Sequence, residues 1–215
     1  MNILITPGNT ATHYLLRWLE VPATINGPTI DGSSYSVHTR FKKEGLSIGY
    51  SNNYIRYKKG HKIHYLMSNP YDYILASFRR GFPSETWVHW REWCCGDPTY
   101  FKVGNTTTIK EYLLNPYDAV QYKSHLTGYV ENPNSEYEFL FTKYESLRDI
   151  KVQEEIRNYW GVPKNHPKFN YKERKTSWER ETEEIKQLLE QKLGEEYKWF
   201  NDLPDYFKLK PGEVL

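Results

Sequence analysis

The sequence predicts an α/β fold in three layers, with a central, mainly parallel sheet flanked by helices. Three observations carry this. Short apolar runs of strand type alternate with helix-type patterns, the arrangement that gives parallel strands joined by helical crossovers. The first run, Asn2-Ile3-Leu4-Ile5-Thr6, passes through the turn Pro7-Gly8-Asn9-Thr10-Ala11-Thr12 into an amphipathic stretch over residues 13–20. The length of 215 residues suits one such domain, spanning residues 1–215, with enough chain to bury a substantial core.

The remaining elements follow in order. Residues 21–34, rich in Pro, Gly, Thr and Ser, read as a connection; residues 35–41, with Val37 and Thr39, read as a second strand. Residues 42–60 are polar and rich in tyrosine, which predicts a loop or a short peripheral helix. A third strand over 61–67 runs into Ser68-Asn69-Pro70, where proline ends the ladder and presets the first turn of a helix over 71–80, stopped by Gly81. Residues 85–93 carry a helical pattern, 97–107 is rich in turn residues, 109–114 is a short segment, and a longer helix is expected over 117–130. The turn cluster Glu131-Asn132-Pro133-Asn134-Ser135 precedes a strongly apolar run, 137–142, which predicts a buried strand. A helix over 152–160 ends at Gly161-Val162-Pro163, with glycine past the end and proline beyond it. The polar segment 164–175 then leads to a long charged helix over 179–200, with Ile185, Leu188, Leu189 and Leu193 as its buried stripe.

Charge and composition exclude several classes of function. The 29 basic and 27 acidic residues are interspersed and leave a formal charge of +2, so neither nucleic acid nor a membrane surface is an expected partner. Any anion site must be local. No run reaches the roughly 18 apolar residues of a membrane span, and no secretory signal pattern opens the chain, so a soluble, cytoplasmic protein is expected. The only cysteines, Cys94 and Cys95, are adjacent and too few for a disulfide framework or a thiolate metal site. The aromatic residues Trp87, Trp90, Trp93, Tyr100 and Phe101 fit either a stacking wall for a sugar or aromatic acceptor or a helix buried against the sheet.

A strand that feeds a small-residue turn into a helix is a phosphate cradle. Backbone N–H groups of the turn and the positive end of the helix dipole converge on one spot, and the hydroxyls of Thr10 and Thr12 can add donors there. The turn matches neither common nucleotide fingerprint. It lacks the lysine of G-x-x-x-x-G-K-[ST], and Gly8 is its only glycine, so G-x-G-x-x-G fails as well. A second strand-to-helix turn, at Ser68-Asn69-Pro70, offers a separate anion site.

Three further segments, in this order, resemble the sulfotransferase family, enzymes that use 3′-phosphoadenosine 5′-phosphosulfate (PAPS) as sulfuryl donor. HYLMSNPYDYILASFRRG, His64 to Gly81, resembles the family's strand, Arg-Asn-Pro-x-Asp turn and serine-bearing helix, which grips the 3′-phosphate. FLFTKYESL, Phe139 to Leu147, is similar to the strand ending in Tyr-Glu-x-Leu, and residues 152–161 to the helix and Leu-Gly turn that follow it. KERKTSW, Lys172 to Trp178, resembles the Arg-Lys segment that folds over the donor. The resemblance covers nearly the whole chain and implies a P-loop NTPase-like sulfotransferase architecture.

On that resemblance, Pro7, Gly8, Asn9, Thr10, Ala11 and Thr12 take the place of the 5′-phosphosulfate loop, and Asn69, Ser77, Arg174 and Lys175 the place of the 3′-phosphate site. His38, on the strand ahead of the Ser68-Asn69-Pro70 segment, takes the place of the base that removes the acceptor's proton. His13, His89, His125, Glu44 and Glu85 are its rivals. The implied cofactor is PAPS, with adenosine 3′,5′-bisphosphate (PAP) as product and no metal, and the implied partner is a small-molecule or carbohydrate acceptor. The acceptor would present a hydroxyl or amine.

Charged positions depart from the family pattern. Gly8 stands where the family has lysine, Thr10 where it has glycine, and Ser68 where it has arginine. The helix serine comes one residue late, with Ala76 at the usual position and Ser77 next, a rotation of about 100°. Loss of a lysine aimed at developing charge costs about 3 to 4 kcal/mol of transition-state stabilisation. Arg17, Arg40, Arg79 and Arg80 are the candidate substitutes, and a catalytically degenerate nucleotide-binding or interaction module is the alternative reading.

Overall fold

The computed structural model describes residues 2–6, 12–21, 27–28, 34–37, 46–47, 54–55, 61–79, 108–116, 122–131 and 137–215. Its main sheet has six strands. They are β1 (Asn2–Ile5), β2 (Gly27–Pro28), β3 (Ser34–Val37), β6 (Lys62–Met67), β7 (Glu138–Lys143) and β8 (Tyr206–Leu209), in the spatial order β2-β3-β1-β6-β7-β8. The four inner strands are parallel, with Ile5 opposite both Val37 and Tyr65, and Met67 opposite Lys143. β2 and β8 close the two edges antiparallel. The expected mainly parallel α/β sheet is therefore present.

Alternation along the strands sends side chains to two separate layers. Ile3, Ile5, Ile63, Tyr65, Met67, Phe139 and Phe141 face one layer, where they pack on α4 (Tyr122–Val130) and the end of α6 (Glu183–Asp202) through Leu126, Tyr129, Phe200 and Leu203. Leu4, Leu66 and Leu140 face the other, against α1 (Thr12–Trp18) and α5 (Ile150–Trp160). A third cluster joins α2 (Pro70–Arg79), α3 (Ile109–Leu114) and the first half of α6. β6 lies at the centre, and Ile63, Tyr65, Leu66 and Met67 are wholly buried.

Several elements are stopped by legible local chemistry. Thr108 and Glu111 form a reciprocal capping box at α3. Asp149 caps α5, and Gly161, at φ 73°, closes it in the left-handed conformation that favours glycine. α6 begins at Glu183 rather than at 179, because Thr182 is extended and its hydroxyl accepts from the Ile185 amide; a 3₁₀ turn, Trp178–Arg180, precedes it. Lys143 is buried beneath the other end of α6, donating to the carbonyls of Leu203 at 2.5 Å and Asn201 at 3.3 Å.

Other expectations need correction. The segment 42–60 contains neither loop alone nor a described helix, because β4 (Leu46–Ser47) and β5 (Tyr54–Ile55) pair antiparallel as a separate two-stranded sheet. The connection over 21–34 contributes β2, which reaches β3 as an edge strand. β8 has no counterpart in the sequence reading; Tyr206 and Lys208 are exposed, Phe207 is half-buried and only Leu209 is buried, as suits an edge. The second strand is described only to Val37, and α4 from Tyr122. The expected features at Gly81, 85–93 and 97–107, together with Cys94, Cys95 and the Trp87-to-Phe101 aromatic cluster, lie outside the described residues.

His64 shows how a polar group is accommodated at the centre. It is fully buried on β6, and Trp160 Nε1 donates to its Nδ1 at 3.0 Å. Nδ1 is thereby the acceptor, so the proton sits on Nε2 and is donated to Thr142 Oγ1 at 2.7 Å. Burial holds its pKa down at about 3, so the fold keeps it neutral. The unfolded chain takes up this proton from about pH 6.5 downward, and stability falls by about 1.4 kcal/mol per pH unit below that point. Urea denaturation at pH 7 and pH 4.5 should show this loss in the wild type and a shallower one in His64→Gln; an equal loss in both contradicts the assignment.

Candidate functional site

The topology singles out one edge of the sheet. After β1 the chain turns through α1 toward β3 on one side, whereas after β6 it turns toward β7 on the other. The C-terminal ends of β1 and β6 therefore flank a switch point, where α/β sheets leave a crevice for ligands. Both strand-to-helix turns identified in the sequence leave the sheet here.

At the first turn, β1 leads to Thr6 and α1 begins at Thr12, and their buried hydroxyls meet at 3.0 Å. That bond ties the two ends of the turn together. Pro7, Gly8, Asn9, Thr10 and Ala11 lie outside the described residues, as does His38, which follows the last residue of β3.

At the second turn, Ser68 is wholly buried and held by its backbone. The Tyr122 hydroxyl accepts from the Ser68 amide at 3.0 Å and donates to the Ser68 carbonyl at 2.5 Å. Asn69 caps α2: its Oδ1 accepts from the amides of Tyr71 at 2.9 Å and Asp72 at 3.4 Å, and Pro70 supplies the preset first helical residue. The Asn69 amide itself donates to Glu145 Oε1 at 3.3 Å. Glu145 stands just beyond the end of β7, in the 3₁₀ turn Glu145–Arg148.

A strap over residues 161–177, without regular secondary structure, crosses this edge. Its path is set by side chains of the helices and strands beneath it. Trp18 Nε1 donates to the Pro167 carbonyl at 2.7 Å and the Tyr14 hydroxyl to Asn170 at 2.5 Å, while Gln153 bonds both the amide and the carbonyl of Phe169. The Tyr144 hydroxyl then donates to the Lys172 carbonyl at 2.6 Å, and the Trp178 amide donates to Asp72 Oδ1 at 2.7 Å. Between these two ties, Arg174 turns down into the crevice edge.

Arg174 is the centre of the site. Its Nη2 donates to Ser68 Oγ at 2.6 Å, its guanidinium lies 4.5 Å from the centre of the Tyr144 ring, and its Nε is 3.3 Å from Glu145 Oε1. The last contact lacks hydrogen-bond alignment: Arg174 Nε and Glu145 Oε2 are both buried atoms without a hydrogen-bond partner. A guanidinium with an unmet buried donor beside a capped helix N-terminus is suited to an incoming phosphate oxygen. Asp72 adds negative charge nearby. Burial is the main cause that raises its pKa to about 6, with Glu145 and Glu179 adding to the rise and the Trp178 amide and Arg174 opposing it.

The structure thus brings Asn69 and Arg174 together with Ser68. Lys175 follows Arg174 in the strap and is exposed. Ser77 lies two turns into α2, wholly buried, with its hydroxyl donated to the Tyr73 carbonyl at 2.9 Å. Of the rival histidines, His125 is buried against Tyr65, whose hydroxyl lies 2.6 Å from its Nδ1, and His89 is outside the described residues, as are Glu44 and Glu85. Nothing is described of the His13 side chain. Arg17 and Arg79 are exposed on their helices, while Arg40 and Arg80 are not described. The sequence reading did not single out Glu145, Tyr122 or Asp72; Glu145 and Asp72 stood inside the quoted segments, but only the strand order shows that they face one arginine. Among the described residues no acidic, His or Cys group could hold a metal ion, and no helix is long and apolar enough to cross a membrane.

No protein-family model and no curated protein matches the chain. Among solved structures it is similar to a mouse sulfotransferase, SULT7A1, complexed with PAP, at 15% identity and a TM-score of 0.48, with 94% of this chain and 88% of the other covered.

The raised pKa of Asp72 has a measurable consequence. Because the fold holds this proton more tightly than the unfolded chain, its contribution to stability is full below about pH 4 and is lost as pH rises through about 6. Asp72→Asn keeps the acceptor for the Trp178 amide and removes the charge, so it should stabilise the protein at pH 8 by about 1 to 2 kcal/mol and give no such gain at pH 4. Urea denaturation at the two pH values reads this directly. A variant less stable than the wild type at pH 8 contradicts it.

Proposed function

We propose that the chain is a sulfotransferase-like enzyme that binds PAPS across the crevice between the ends of β1 and β6 and moves its sulfuryl group to a hydroxyl or amine acceptor. The observation that carries this reading is the position of Arg174. The sequence resemblance leaves serine where the family has an arginine, and a guanidinium from the strap rests on that serine's hydroxyl. A cation from the strap thus stands at the turn where the resemblance leaves an uncharged residue.

The chemistry asked of the site is positional and electrostatic. A ligand with phosphate at both its 5′ and 3′ ends needs two separated cradles on one sheet edge, and the turns after β1 and β6 supply them on neighbouring strands. In this reading the turn Pro7 to Thr12 receives the 5′ end, and Asn69, at the start of α2, with Arg174 and Lys175 from the strap, receives the 3′ end, whereas the buried Ser77 hydroxyl is donated to the Tyr73 carbonyl instead. His38 takes the acceptor's proton as the acceptor atom bonds to sulfur. The bond from sulfur to the 5′-phosphate oxygen breaks, and PAP leaves. Such a transfer requires in-line geometry and dispersed charge more than covalent help. A second reading, a nucleotide-binding module without turnover, is favoured by Gly8 and Ser68 standing where the family has cations. A transfer assay over a mixed acceptor panel separates the two, because only the enzyme turns over.

PAP should raise the melting temperature by about 5 °C or more once it exceeds its dissociation constant about a hundredfold. Arg174→Ala combined with Lys175→Ala should weaken that binding by at least about 2 kcal/mol. Absence of any shift at millimolar PAP contradicts the reading. His38→Ala should keep PAP binding and reduce turnover about 100-fold or more; an unchanged rate removes His38 from the role of base.

A further inference from the structure

The β6–α2 turn already carries an anion from within the chain. Glu145 Oε1 accepts from the Asn69 amide at 3.3 Å and sits 3.3 Å from Arg174 Nε, so one carboxylate oxygen occupies the donor of the turn and the cation of the strap together. These are two of the groups that a phosphate at this turn would use. The fit is poor for a purely structural ion pair. Glu145 Oε2 is buried without a hydrogen bond, and Arg174 Nε gains proximity but no aligned acceptor. A carboxylate offers two oxygens in a plane, whereas a phosphate offers three or more in a tetrahedron and up to two charges, enough to meet the Asn69 amide and the guanidinium with aligned bonds.

Glu145 is also placed so that it can move. Its side chain is 32% exposed, against 12% for Arg174, and it begins a short 3₁₀ turn rather than standing within the strand. Arg174 keeps two other partners if Glu145 leaves, the Ser68 hydroxyl and the Tyr144 ring. The cation is therefore held in place independently of the carboxylate.

We propose that Glu145 is an internal competitor for the anion at the β6–α2 turn, which lowers the affinity for the 3′-phosphate and is displaced when a doubly charged group binds. This rests on the nucleotide reading above. The role is one of specificity: a ligand lacking the 3′-phosphate cannot displace the carboxylate and gains nothing from its removal.

The test compares the wild type with Glu145→Gln and Glu145→Ala by titration calorimetry, using PAP and adenosine 5′-monophosphate as probes, with thermal melting of each unliganded protein to establish folding. Glutamine retains an acceptor for the Asn69 amide without the charge, and alanine removes both. Both variants should bind PAP about tenfold or more tightly than the wild type, with adenosine 5′-monophosphate affinity unchanged. If the wild type binds PAP and both variants bind it equally or more weakly, Glu145 positions Arg174 rather than competing for it, and the proposal fails while the nucleotide reading stands. A parallel gain for both probes overturns the claim of 3′-specificity. If none of the three proteins binds PAP, the nucleotide reading fails and the competitor proposal with it.

Discussion

The parallel pairing of β6 with β1 on one side and β7 on the other is the constraint on which the rest depends. Parallel neighbours cannot be joined by tight hairpins, so each strand must be followed by a crossover that returns the chain to the same starting edge. All the turns that leave these strands are thereby gathered at one end of the sheet. β6 is buried on both faces and carries His64 at its middle, so its register is held by side-chain hydrogen bonds to Thr142 and Trp160 as well as by the backbone ladder. A shift of one residue would send His64 and Tyr65 to the wrong layers.

From that constraint the site follows in two steps. The order of strands puts the switch point between β1 and β6, and the turn after β6 places Ser68 and the capped start of α2 beside it. The strap then brings Arg174 to Ser68 from more than a hundred residues away in sequence. The strap has no ladder of its own, and it is fixed by side chains that belong to the helices and strands below. Tyr14, Trp18, Gln153 and Tyr144 each bond to its backbone, and Asp72 holds the Trp178 amide just beyond it, which satisfies polar groups that a covered irregular segment would otherwise leave unpaired. Burying a guanidinium costs free energy unless it is partnered, and here the Ser68 hydroxyl, the Tyr144 ring and the Glu145 carboxylate surround it.

Much of this was legible in the residues. The strands at 2–5, 62–67 and 138–143 are short and apolar, and their turn residues and caps stand in the order that helix and strand ends require. Asn69 and Pro70 announce the start of α2, and Gly161 the end of α5, through local conformational preferences that need no tertiary contact. What stayed hidden depends on distance in the chain. β8 and β2 are edge strands whose weak patterns acquire meaning only from a partner. Arg174 could be named as a cation for a phosphate, but its contact with Ser68 joins segments that only the fold places together. Glu145 was read as part of a family-like strand end, and its position against Asn69 and Arg174 follows from the registration of β7 on β6. Arg17, Arg40, Arg79 and Arg80 were named as substitutes for the lysine that Gly8 replaces, and the turn they would serve lies outside the described residues.

The central claim is that the turn after β6, together with Arg174, forms one anion site at the switch point. A crystal structure of the protein with PAP tests it most directly. The account predicts the 3′-phosphate within hydrogen-bond distance of Arg174 and the Asn69 amide, with the Glu145 carboxylate turned away. A phosphate bound elsewhere, with the Arg174–Glu145 contact intact, would contradict it.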